Sequence, residues 1–104
     1  MQLIYSTRAL IEMDGIAEHI QQSSPRSALR FLEAVEKTST FLLTFPEFGA
    51  LFETDEPEMI GLHLCLVSGF EKYLLFYRIR YDEIHIERVI NGVRDLPEAL
   101  KERP

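Results

Sequence analysis

Gly61-Leu-His-Leu-Cys-Leu-Val-Ser-Gly-Phe70, then Glu71-Lys-Tyr-Leu-Leu-Phe-Tyr-Arg-Ile-Arg80, then Ile84-His-Ile-Glu-Arg-Val-Ile-Asn-Gly-Val-Arg-Asp-Leu96 is the stretch that decides the fold. Three runs rich in β-branched and aromatic residues are separated by two short polar breaks, Ser68–Glu71 and Arg80–Glu83. That is the pattern of a three-stranded antiparallel meander. The middle run, 73–79, is apolar at nearly every position, so both of its faces need cover and it belongs at the centre of the sheet. An isolated sheet of this size leaves its apolar face in water and is not stable, so the first half of the chain has to supply a lid.

Two helical patterns precede the meander. Leu10, Met13, Ile16, Ala17 and Ile20 fall three and four apart, one stripe of an amphipathic helix capped by Ser6 or Thr7, with Glu12, Asp14, Glu18 and His19 on the outer side. Gly15 inside this run costs about 1 kcal/mol against alanine, which suggests close approach to another backbone. Ser24-Pro25 then starts a second helix, serine as cap and proline in the first turn. Its stripe is Ala28, Phe31, Leu32, Val35, Leu42 and Phe45, and Pro46 ends it. A tight joint between two such helices gives an antiparallel hairpin. Leu3, Ile4 and Tyr5 add a short strand ahead of it, and 51–60 reads as an acidic surface loop. Leu96–Leu100 is compatible with one terminal helical turn, followed by fraying ends. The expected fold is α+β: an N-terminal strand and a helical hairpin packed on a three- to four-stranded antiparallel sheet, one domain over residues 1–104.

Charge restricts the partners. Of the net −6, all of it lies in residues 1–60, which hold 4 Lys/Arg and 10 Asp/Glu, whereas residues 61–104 hold 7 of each. Broad nucleic-acid binding needs clustered cations, so any anion recognition here is local and belongs to the second half. No run approaches the roughly 20 apolar residues of a membrane helix, and no signal-peptide pattern opens the chain, so a soluble cytoplasmic protein is expected. The lone Cys65 can form no internal disulfide and is read as a packing residue.

Alternation along the last strand puts Arg88 on the same face as Ile84 and Ile86, and His85, Glu87 and Val89 on the other. A cation on an apolar face is either paired or opens into a cleft. Arg78 on the central strand and Arg94 after the Asn91-Gly92 stop are similar candidates, and Tyr77 lies beside Arg78. His19, His63 and His85 lack metal-ligand spacing, so no metal or cofactor is expected. Ser68-Gly69 is a turn with no nucleophile context, and no phosphate-cradling glycine loop occurs. Spacing alone assembles no catalytic constellation.

Ala28-Leu-Arg-Phe-Leu32 with Phe41-Leu-Leu-Thr-Phe-Pro-Glu-Phe-Gly49 resembles the second helix and following turn of ParE-like toxins of the ParE/RelE superfamily. Gly61–His63, Val67–Phe70, Tyr73–Arg78 and Arg88–Leu96 are similar to that family's meander strands and terminal motif, so the resemblance spans nearly the whole chain. It implies the toxin half of a bacterial type II toxin–antitoxin module, often plasmid-stabilising, neutralised by an antitoxin whose C-terminal segment wraps it. ParE-type members inhibit DNA gyrase by binding, whereas RelE-type members cut mRNA on the ribosome with cationic and acid–base side chains. The family commonly has arginine where His63 stands and histidine where Asn91 stands. Asparagine is neither acid nor base near neutral pH, which favours the ParE-type inhibitor, with Arg78, Arg88, Arg94, Tyr77 and Asn91 as target contacts. The alternatives are an mRNA interferase using Arg78, Arg88 and His63, and an inactive relative that only binds. The oligomeric state, including a homo-oligomer, stays open.

Overall fold

A computed structural model of the chain describes residues 1–93. Arg94, Asp95 and the expected terminal turn at Leu96–Leu100 lie outside the described residues. Strand β1 (Gln2–Tyr5) leads into α1 (Thr7–Gln21) and α2 (Pro25–Thr44), followed by β2 (Ala50–Leu51), β3 (Leu62–Val67), β4 (Phe70–Arg80) and β5 (Glu83–Asn91). The sheet order is β1-β5-β4-β3-β2, with β4 in the middle. The helix starts follow the caps: Ser6 Oγ accepts from the Ala9 amide at 2.9 Å and Ser24 Oγ from the Ser27 amide at 3.1 Å. Pro46 excludes helical geometry at Phe45, whose φ/ψ of −126°/72° closes α2.

The sheet is larger and more mixed than alternation suggests. β1 joins β5 in parallel, Gln2 opposite Glu83 and Tyr5 opposite Ile86. β2, only two residues long and inside what reads as loop, pairs antiparallel with His63 and Leu64. The hairpin packs on one face, where Phe31, Val35 and Leu42 meet Cys65, Val67, Leu75, Tyr77, Ile84, Ile86 and Val89. Phe31 meets the rings of Phe70 and Tyr73 edge-on, at 5.6 and 5.1 Å. The opposite face carries a smaller cluster of Leu62, Leu74, Phe76 and Ile90, with Phe52, Met59 and Leu64 packed against it. Both faces of β4 are therefore buried, as its apolar run requires.

Several local expectations change. Leu10 is exposed and Ala9 takes its place in the core, while Phe45 is also exposed. Gly15 faces open space, with nothing within 4 Å of a Cβ placed there, so no backbone approach explains it. The last strand breaks its alternation. Phe76 pairs with Arg88 but Tyr77 with Ile86, leaving Glu87 as the extra residue of a β-bulge. Beyond the bulge the phase is reversed. Val89 joins Ile84 and Ile86 against the helices, and Arg88 lies opposite Phe76 on the other face instead of beside the two isoleucines.

Candidate functional site

The bulge gathers the charged residues of the far face. Arg78 lies across from His85, and Arg88 across from Phe76, the residue two before Arg78. Glu87 stands between them: its Oε2 accepts from Arg78 Nε at 3.0 Å. Arg88 is held from the other side by α1. Its Nη2 lies 2.8 Å and its Nε 2.9 Å from Glu12 Oε2, while Glu12 Oε1 accepts from the Val89 amide at 3.0 Å. Glu12, read as a solvent residue, is thus the clasp between α1 and β5. Arg8, one turn earlier, reaches the same carboxylate at 3.8 Å. A cleft of about 160 Å³ lies here, walled by Arg8, Glu58, Glu87 and Arg88 over a floor of Leu62 and Phe76.

The remaining guanidinium edge of Arg78 donates to two backbone carbonyls of the segment before β3, that of Ile60 through Nη1 and that of Glu58 through Nη2 at 2.8 Å. Its side chain is 14% exposed. Gly61, at φ +91°, supplies the left-handed turn that brings those carbonyls over it.

His63 is elsewhere. It pairs with Tyr77 on the helix-facing side of the sheet, its ring stacked on the tyrosine at 5.1 Å and its Nδ1 3.0 Å from the Gly49 carbonyl oxygen. Arg78 and Arg88 share a face and His63 does not, so the three residues named for an interferase are not brought together. Tyr77 has no exposed surface. Its hydroxyl donates to Pro46 O at 2.6 Å and accepts from the Gly49 amide at 2.8 Å, so its visible work is to hold the turn between α2 and β2. Burial raises its pKa, with the Gly49 amide opposing and Cys65 and Glu47 adding smaller upward pushes. Asn91 Oδ1 accepts from the Val93 amide at 3.0 Å, closing the turn that stops β5. Burial likewise pushes the Cys65 thiol up to about 11. Among the described residues, no three His, Cys, Asp or Glu side chains are placed to hold a metal ion, and no helix is long and apolar enough to cross a membrane.

A second surface lies at the C-terminal end of α2. Phe41, Phe45, Phe48 and Leu66 are all 42% or more exposed, and Phe41 contacts both other rings at 4.9 Å. Phe41, Phe48 and Leu66, with Lys37, Thr38, Ser68 and Glu71, border a groove of about 490 Å³ beside β3. The signal lies in Phe41 and Phe48: Phe41 is one position off the buried stripe that runs through Leu42, and Phe48 follows the Pro46 stop, so helical burial accounts for neither.

The chain matches the family model described as "ParE toxin of type II toxin-antitoxin system, parDE" over residues 3–96. It belongs to the ParE toxin family. A solved structure titled "Chromosomal ParDE TA system from P. aeruginosa" contains a chain with the same fold, at 21% identity and TM-score 0.70, covering 88% of this chain and 95% of that one. Among curated proteins none matches. The helical hairpin on an antiparallel meander is thus the ParE architecture, and in this ParE toxin it presents the arginine face on one side of the sheet and the aromatic groove beside β3.

Proposed function

We propose that this ParE toxin acts in the cytoplasm by binding DNA gyrase, without cleaving RNA, and that a cognate antitoxin silences it. The observation that carries the reading is the division of the ribonuclease candidates between two faces of one sheet: Arg78 and Arg88 on one, His63 on the other. General acid–base catalysis needs its groups within hydrogen-bond reach of one scissile bond, and a sheet lies between these. Charged groups held in fixed positions near a surface suit protein recognition instead. Arg78, Arg88 and Arg94 are the proposed contacts, with Asn91 closing the turn at the end of β5; Tyr77 supports from within.

The antitoxin is assigned to the groove of Phe41, Phe48 and Leu66. Clustered exposed aromatic rings suit a protein-interaction surface, and β3 runs past the end of its two-residue partner β2 at Leu66, leaving an edge on which an extended chain can pair. Purified toxin should inhibit gyrase supercoiling while RNA stays intact, and adding the antitoxin should restore supercoiling. Discrete codon-positioned mRNA ends after brief expression would instead establish the RelE-type interferase.

A further inference from the structure

We propose that residues 52–61 form a strap that occupies Arg78 with its own carbonyl oxygens and lifts to offer this guanidinium to a carboxylate of the protein partner. The inference rests on the reading of the arginine face as the partner-binding surface. The strap is fastened near its two ends. Phe52 packs edge-on against Phe76 at 5.7 Å and its amide donates to Leu62 O at 2.8 Å. At the other end Met59 joins the far-face cluster, and Ile60 and Glu58 give their carbonyls to Arg78. Between these the chain turns on itself, the Glu56 amide donating to Thr54 Oγ1 and the Met59 amide to Glu56 O. Segments held by few apolar contacts open locally without global unfolding.

The chemistry favours exchange of ligands. Neutral carbonyls are weaker acceptors for a guanidinium than a carboxylate, which can take both Nη groups in a planar fork. Glu53, Asp55, Glu56 and Glu58 also ring the closed strap with negative charge, which repels an acidic partner until the strap moves away. Glu87 keeps Nε throughout, so the guanidinium stays aimed while its outer edge is freed.

The test uses the whole toxin and an arginine-specific dicarbonyl reagent, phenylglyoxal, with each site read by mass spectrometry. Phe52→Ala removes one fastening. Gly61→Ala, independently, strains the positive φ and puts a Cβ 3.1 Å from Arg78 Nη1. Both variants should label Arg78 at least tenfold faster than wild type, with the exposed Arg80 unchanged and amide exchange in β4 and β5 still slow. They should also inhibit supercoiling at a several-fold lower concentration. Unchanged labelling of Arg78, or faster labelling only with loss of protection in β4 and β5, overturns the strap. Faster labelling with inhibition no better than wild type overturns its masking role. If wild type and both variants all leave gyrase untouched, the target reading fails, and the strap is decided by labelling and exchange.

Discussion

Tyr77→Phe removes one oxygen atom from the centre of the sheet and should cost far more than its size suggests. The hydroxyl serves two backbone groups of the α2–β2 turn, Pro46 O at 2.6 Å and the Gly49 amide at 2.8 Å. Gly49 is wedged against the ring: a Cβ there would lie 2.8 Å from Tyr77 and 2.9 Å from Leu64 O, so neither water nor a shifted side chain can easily replace the bond. A buried donor left unsatisfied costs about 1–3 kcal/mol. With the half-buried Pro46 carbonyl added, the expected loss is about 2–3 kcal/mol, or roughly 10 °C or more in Tm for a domain of this size. Alkaline pH gives a second reading. Because burial raises the Tyr77 pKa above 10.0, the folded state keeps a proton that the unfolded state releases. Its contribution is complete below pH 10 and declines as pH rises from there towards the folded pKa. The variant should therefore be less stable at pH 8 yet lose stability less steeply above pH 10, the remaining slope including Tyr5, whose pKa is also raised by burial. Thermal unfolding at pH 8 and a denaturant series from pH 8 to 11 measure both. A loss below about 0.5 kcal/mol at pH 8 would refute the assignment of the turn to this hydroxyl.

Glu12→Ala should destabilise by about 2 kcal/mol and show a coupling of about 1 kcal/mol with Arg88→Ala in a double-mutant cycle, because the carboxylate holds both the guanidinium and the Val89 amide. Additive effects in denaturant unfolding would refute the clasp. Gly15→Ala should raise stability by about 1 kcal/mol, since the site is helical and open, whereas Gly49→Ala should lower it by about 3 kcal/mol or prevent folding, because backbone and ring both block the new carbon. Calorimetry separates the two. With its thiol pushed up to about 11 and buried, Cys65 should resist a disulfide reagent at pH 8 until denaturant unfolds the sheet, so labelling and unfolding midpoints should coincide. Labelling of the native protein within minutes would contradict its placement.

The helices and the central strand were legible because each rests on a local rule: Ser6 and Ser24 as caps, Pro46 as stop, and the apolar run Tyr73–Tyr77, which only the middle of a sheet can hold. What escaped was set by distant partners. Two residues, Ala50 and Leu51, are too few to show a period, and become a strand only because β3 lies beside them. The direction of β1 depends on where the helical hairpin returns the chain. Most consequential was Glu87, which no residue type marks as an insertion, since its cause is the pairing of β4 with β5. A reader alternating sides from Ile84 puts Arg88 among the isoleucines; the structure puts it on the other face. The candidate cations were thus recognisable as residues, while their neighbours were not.

The parallel seam between β1 and β5 also governs the order in which the molecule is made. The Ser6 hydroxyl donates to Glu87 O, 81 positions later in the chain, so during synthesis the first strand waits without its neighbour until nearly every other element has left the ribosome. The hairpin of α1 and α2, whose contacts are near in sequence, is able to form early; the sheet closes last. The arginine face is built from β4 and β5, so it is complete only after both strands and the bulge at Glu87 have been made.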